Sequence, residues 1–221
     1  AKVPRTHRKN TQASPTAIVN GGRLYVHFGN MGTACPDPKG NPIWKNETLE
    51  YSSVHGNGGS PVLVNGKLIF GCDGARNPFV VALDTKTGKE AWRVERSVKA
   101  QRKFSFSTPL VLRTGTGTQV LLPGSDMIGA YDPNTGKEIW KVTFDGYSVV
   151  PRPVAGHGMV FFSTGFDRAT DTAKDTYIYS TSYGFGLQTS IGGLEDVRVD
   201  YAYTNVDFFD GLNTFTFEVG F

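Results

Sequence analysis

Side chains that could bind a ligand recur at one position of a repeating pattern. A basic or hydrogen-bonding residue stands six positions before each of four regularly spaced prolines. These residues are Lys9, His55, Lys103 and Tyr147, and Asn57, Arg102 and Arg152 lie near them. Cationic groups of this kind form charge-assisted hydrogen bonds with carboxylates and phosphates. The pattern predicts a basic pocket for an anionic ligand or an acidic peptide; the alternative is a set of solvated loop residues.

The remaining chemically active residues predict no catalytic or metal site. The histidines have no ligand spacing, and His157, in a glycine turn, is expected to be exposed to solvent. There is no nucleophile-elbow or catalytic-triad signature. Three acids that follow the second strand of a repeat are predicted to cap turns, with calcium binding as the alternative. These acids are Asp73, Asp126 and Asp167.

The two cysteines carry little information. Cys35 and Cys72 are 37 residues apart and form no CxxC motif. Two buried free thiols or one disulfide would both fit this spacing.

A repeat of 48 residues must position these side chains. Each of the three tryptophans follows a glycine by four residues, at the same interval of 48. The residues are Trp44, Trp92 and Trp140, preceded by Gly40, Gly88 and Gly136. In the second and third copies an aspartate, Asp84 or Asp132, stands four residues before the glycine. We expect a hairpin in which the aspartate caps the turn, the glycine adopts the left-handed conformation and the tryptophan docks on a neighbouring repeat.

A second feature completes the repeating unit. Pro15, Pro61, Pro109 and Pro153 each open a predicted pair of short strands, and Asn65-Gly66 is a strong two-residue hairpin signal. Two hairpins in about 48 residues predict a four-stranded propeller blade. The blades are expected at 15–58, 61–106 and 109–150, with a partial fourth at 151–167, and the fold class is all-β.

The Ala-x-Asp-x-x-Thr-Gly-Lys-x-x-Trp pattern resembles the tryptophan-docking repeat of pyrroloquinoline-quinone-type propellers. The resemblance covers residues 10–167. It implies either a non-catalytic scaffold of the bacterial cell envelope, in the periplasm or at the outer membrane, or the remnant of a quinone-dependent dehydrogenase. Only the dehydrogenase would use the quinone with calcium. No catalytic residue of that family can be carried over, so we expect no cofactor and a protein or peptide partner, or self-association that completes the propeller.

The last 53 residues differ from the repeats. Residues 169–221 carry eight acids and two bases, a net charge of −6 in a chain whose total is +3, which indicates a boundary near residue 168. Four alternating runs, at 177–184, 185–192, 196–204 and 213–221, predict antiparallel strands long enough to span a membrane. The terminal run resembles the C-terminal signal of outer-membrane barrels, at Phe215, Phe217, Val219 and Phe221.

Three alternatives remain open for this segment: a sheet with one buried face, strands that complete the propeller, or a truncated or chimeric reading frame. The chain has no run of 18 apolar residues that would predict a membrane-spanning helix. Its basic start has no apolar segment typical of a signal peptide, which favours a mature form or a fragment. The basic residues are not clustered as in nucleic-acid-binding arms, so no nucleic acid is expected.

Overall fold

The computed structural model divides into two compact units, residues 1–168 and 169–221. The structure describes residues 6–8, 10–96, 100, 102–156, 158–163, 179–191, 194–206 and 209–219.

The first unit contains three four-stranded antiparallel sheets, in each of which strands that follow one another in the chain are neighbours. This arrangement confirms the predicted blades. The first blade is β1 (Ile18–Asn20), β2 (Arg23–His27), β3 (Thr33–Pro36) and β4 (Pro42–Asn46). The second is β5 (Val62–Val64), β6 (Lys67–Cys72), β7 (Phe79–Asp84) and β8 (Glu90–Glu95). The third is β9 (Leu110–Thr114), β10 (Gly117–Gly124), β11 (Met127–Tyr131) and β12 (Glu138–Thr143).

Short connections join these strands. A 3₁₀ turn, Gly29–Met31, links β2 to β3. The predicted hairpin between β5 and β6 has both central residues at positive φ, Asn65 at 49° and Gly66 at 71°. Two positive φ angles define the turn that matches the twist of paired strands, which is why Asn-Gly occurs there.

The core lies between the blades. Alternate residues of a strand point to opposite sides of its sheet. On β6, Leu68 and Phe70 therefore pack with Tyr25 of the first blade, whereas Ile69 packs with Tyr131 of the third. Because both sides of the second blade are covered, β6 and β7 are apolar almost without interruption.

A fourth pair of strands, β13 (Val154–Gly156) and β14 (Met159–Phe161), follows the third blade. Val160 packs against the third-blade cluster that contains Leu121 and Ile128. The Phe144 and Phe162 rings lie 5.9 Å apart. The chain therefore provides three full blades and the first half of a fourth, as the repeat predicted.

The described residues of the second unit form a sheet of three strands, where four were predicted. They are β15 (Tyr179–Ile191), β16 (Leu194–Val206) and β17 (Phe209–Val219). The runs predicted at 177–184 and 185–192 share one continuous strand over their described residues, because Tyr183 and Phe185 both pair with β16, opposite Tyr203 and Tyr201. The apolar period is unbroken across the predicted boundary, and two glycines there do not interrupt the pairing.

The resemblance of the C-terminal run to a barrel signal stays a prediction. Phe215, Phe217 and Val219 lie on β17, opposite Tyr201, Val199 and Val197 of β16, and Phe221 falls outside the described residues. No helix in the described part of the chain is long and apolar enough to cross a membrane.

Candidate binding face

The aspartate of each repeat forms the turn that the sequence predicts. The Asp84 carboxylate accepts hydrogen bonds from the Thr87 hydroxyl (2.9 Å), the Thr87 amide (2.9 Å) and the Lys86 amide (3.0 Å). The Thr87 hydroxyl bond, with the amide bonds, lowers the pKa of Asp84. Asp132 makes the equivalent bonds one repeat later, to the amides of Asn134 and Thr135.

Each turn is also the docking site for the tryptophan of the preceding blade. The Trp44 indole N–H donates to the carbonyl of Thr85 at 3.0 Å, and Trp92 donates to that of Pro133 at 3.1 Å. The indole of Trp44 lies so close to Gly88 that a Cβ there would be 2.6 Å from its Cδ2. Gly88 is therefore needed for two reasons, its φ of +70° and this contact.

Trp140 lies at the end of the repeat series. Its indole N–H donates to the Gln119 side chain of its own blade at 2.9 Å, and the residue is half-buried. At the opposite end of the series the Gly40 turn is open, with nothing within 4 Å of a Cβ placed there.

The face on the other ends of the strands contains the predicted ligand residues. We call it the connection face. It is formed by the four segments that lead into the prolines, 6–14, 52–60, 100–108 and 146–152. None of the four contains an aspartate or glutamate. The nearest acids along the chain are Glu50, two residues before the second segment, and Asp145, directly before the fourth.

One ring from each connection contributes to a continuous aromatic chain. His7 meets His55 with ring centroids 5.8 Å apart, His55 meets Phe104 at 5.3 Å, and Phe104 meets Tyr147 at 5.9 Å. All three pairs are close to perpendicular, the edge-to-face geometry favoured by aromatic quadrupoles. Phe106 also lies beside Phe104, at 5.8 Å.

The structure places the predicted ligand residues in different roles. His55 is exposed, whereas Tyr147 is only 6% exposed and accepts a hydrogen bond from Arg102 Nη1 at 2.8 Å. Lys103 is half-buried and Arg152 is exposed. Lys9 and His157 fall outside the described residues.

Asn57 supports the connection instead of facing a ligand. It is 8% exposed, its side-chain oxygen accepts a hydrogen bond from the Tyr51 hydroxyl at 3.3 Å, and its amide donates to the Gly59 carbonyl at 3.4 Å.

Sequence reasoning missed His7, Phe104 and Phe106. The sequence prediction considered the residue six positions before each proline, so it included Lys103 and omitted the nearby phenylalanines. The absence of acids from the four segments themselves was visible in the sequence and would have drawn attention to them as a group.

A buried ion pair beside the second blade is also hydrogen-bonded to the third blade. Arg96 Nη1 donates to Asp73 Oδ2 at 2.9 Å, and the side chains are 1% and 5% exposed. The guanidinium also donates to the carbonyls of Leu122 and Pro123, both at 3.2 Å. Burial raises the pKa of Asp73 to about 6, against the opposing effect of Arg96.

The prediction that Asp73 caps a turn is therefore wrong, because its carboxylate is turned inward to Arg96. The Asp126 carboxylate accepts a hydrogen bond from the amide of Gly146, 20 residues later, at 3.3 Å, and its turn-capping role stays a prediction. Asp167 falls outside the described residues. No group of three or more potential metal ligands occurs in the described ranges. Cys35 and Cys72 are both free and buried.

The described residues do not fit a quinone site of the dehydrogenase type. The resemblance implies a tryptophan that stacks on the quinone, and often a disulfide between adjacent cysteines. The indoles of Trp44, Trp92 and Trp140 are bonded at blade junctions or within their own blade. Cys35 and Cys72 lie on strands of different blades.

The comparisons with known proteins agree with the blade geometry. The family model described as "Outer membrane protein assembly factor BamB" matches residues 4–164. The chain belongs to this family. Its match to the propeller repeat confirms the pyrroloquinoline-quinone-like fold that the tryptophan pattern predicted. A comparison with curated proteins gave no match.

Several solved structures are similar in fold. BamB from Moraxella catarrhalis is 15% identical, with a TM-score of 0.50, over 94% of this chain and 77% of that one. The quinohemoprotein alcohol dehydrogenase from Comamonas testosteroni is 15% identical, with a TM-score of 0.49, over 94% of this chain and 38% of that one. A europium-containing methanol dehydrogenase is 14% identical, with a TM-score of 0.46, over 92% and 42%. The chain spans about two fifths of the two dehydrogenases.

Proposed function

We propose that this protein is a non-catalytic binding scaffold of the bacterial cell envelope and that its connection face holds an acidic segment of a protein partner. Membership of a family described as an outer-membrane protein assembly factor supports a partner-binding role in the periplasm or at the outer membrane. The four segments of this face contain no acid, with Glu50 and Asp145 just outside two of them, and one ring from each segment joins the aromatic chain. Both features support the choice of face.

The aromatic chain and the cations suit one kind of ligand. Arg102 and Lys103 supply positive charge in the segment that contains Phe104, and Arg152 does so in the segment that contains Tyr147. Carboxylates of a partner would pair with the cations, while its aromatic or aliphatic side chains would cover the ring edges. Tyr147 holds Arg102 in place, since the guanidinium carbon also lies 5.0 Å from the ring centroid. An acidic peptide with interspersed aromatic residues satisfies both groups.

A peptide titration tests the proposal. The probe is a fluorescein-labelled octapeptide of alternating aspartate and phenylalanine, measured by fluorescence polarisation at low and high salt. The triple variant Arg102→Ala, Lys103→Ala, Arg152→Ala should weaken binding by about tenfold to a hundredfold, because each exposed charge contributes up to about 1 kcal/mol. Salt should weaken the wild-type complex in the same direction.

The matched control removes three cations from the opposite face. Lys86, Lys89 and Lys137 lie in the turns that dock the tryptophans, at the other ends of the strands, and all three are exposed. Their triple replacement by alanine changes the net charge equally. Equal loss of affinity in both triple variants would show that only total charge matters and would overturn the proposal. The same result follows if the probe fails to bind the wild type.

A further inference from the structure

Two adjacent cavities continue from the connection face over the junction of the first and second blades. The inner cavity has a volume of about 630 Å³ and includes His55, through which it adjoins the aromatic chain. The outer cavity has a volume of about 680 Å³. Asn30 and Ser52 line both, so the two cavities form one groove.

The inner part of the groove is basic. His7, Arg8 and His55 line it, and the other lining residues include no acid. Arg8 therefore extends the positive charge of the connection face outward between the blades.

The outer part of the groove is acidic. Glu47, Glu50 and Glu95 line it and are exposed, and no ion pair joins them to another described residue. Of the two arginines there, Arg93 is already neutralised, because it pairs with Glu90 at 2.7 Å and stacks on Phe79 at 4.2 Å. Among the described lining residues, this leaves Arg76 to oppose the three carboxylates.

An unsatisfied hydrogen-bonding group lies where the two parts meet. The side-chain oxygen of Asn30 is buried and has no hydrogen-bond partner, although the residue lines both cavities. A buried acceptor without a donor costs about 1–3 kcal/mol. A backbone N–H of a bound polypeptide would satisfy it.

We infer that this groove binds the continuation of the partner segment, with acidic residues at the His7–His55 end and basic residues at the Glu47–Glu95 end. The inference rests on the proposed function, because the acidic part is the segment assigned to the connection face. The opposite charges of one groove favour an extended polypeptide over a small anion, since a single anion would be attracted by one part and repelled by the other.

Three labelled peptides of identical composition test the inference with the chain of 221 residues. Two contain four acidic residues and four lysines in separate blocks, one in each order, and the third alternates the charges. One block peptide should bind at least tenfold more tightly than the alternating peptide, because only it matches both parts of the groove. Equal affinity of all three peptides would overturn the inference.

A charge-removal variant identifies the groove. Replacing the three acids together, Glu47→Gln, Glu50→Gln and Glu95→Gln, should abolish the advantage of the block peptide. Binding of the aspartate–phenylalanine octapeptide should stay unchanged or tighten. An advantage that survives the replacement would contradict the inference. If the octapeptide binds but the block peptide has no advantage, the inference fails while the proposed function stands; if the octapeptide does not bind, the proposed function fails.

Discussion

The contact between Gly88 and Trp44 makes a quantitative prediction about Gly88→Ala. A Cβ at residue 88 would lie 2.6 Å from Trp44 Cδ2, about 1 Å inside the usual separation of carbon atoms. The indole would have to move away by about that distance. Its 3.0 Å hydrogen bond to the Thr85 carbonyl would then be too long to count as one.

Three free-energy terms add up in this variant. Placing alanine at a φ of +70° costs about 1–2 kcal/mol, partly offset by about 0.4–1 kcal/mol from the less flexible unfolded chain. The steric overlap costs about 1–3 kcal/mol and the lost hydrogen bond about 0.5–1.5 kcal/mol. Gly88→Ala should therefore lower the free energy of unfolding by about 3–5 kcal/mol.

Gly40→Ala is the matched control. Gly40 occupies the same position of the repeat at a φ of +89°, but a Cβ at this residue would have nothing within 4 Å of it. Only the backbone terms apply, so the expected loss is about 1 kcal/mol. The two variants share the substitution and a positive φ, whereas the Gly40 turn is one residue shorter and has no docked indole.

Urea denaturation followed by tryptophan fluorescence measures both variants. All three tryptophans lie within residues 1–168, so the signal follows the propeller unit alone. Each unfolding curve must be checked for two-state behaviour before free energies are compared. Equal losses for Gly88→Ala and Gly40→Ala would refute the reasoning, because the docked indole would then contribute nothing to the requirement for glycine.

Two further predictions concern buried groups. Burial raises the pKa of Asp73 to about 6 and lowers that of His27 to about 3. Between pH 4 and 6, Asp73 is therefore protonated more often in the folded state than in the unfolded state, so its contribution makes stability fall as pH rises. His27 is protonated more often in the unfolded state, so its contribution makes stability rise by up to about 1.4 kcal/mol per pH unit. Removing the opposing slope with Asp73→Asn should make stability rise more steeply with pH in urea titrations; an unchanged slope would contradict this. Trp92→Leu, which removes a docked indole, should lower the melting temperature by several degrees more than Trp140→Leu, and equal shifts would contradict the docking scheme.

The repeat allowed most of the propeller to be predicted from sequence. The constant interval between the three tryptophans predicted the blade length, and the aspartate and glycine that precede Trp92 predicted the turn. These features are local, so their spacing along the chain reflects their geometry directly.

Contacts between distant residues could not be predicted in this way. Asp73 and Arg96 are 23 residues apart and in no repeated register, and nothing in their immediate sequence distinguishes an inward-facing carboxylate from a turn cap. Likewise, Phe104 became part of the candidate site only because three other connections place His7, His55 and Tyr147 around it. Such convergence depends on how the blades are arranged around one another.

The direction of tryptophan docking has a consequence for synthesis on the ribosome. Trp44 and Trp92 each bond to a carbonyl 41 residues further along the chain. At about 5–20 residues per second, that acceptor is made roughly 2–8 s after the tryptophan. Each new blade therefore leaves the ribosome with an uncovered indole, and it becomes a finished layer only when its successor emerges. Nascent chains of this protein should expose one indole at a time, always on the most recently completed blade.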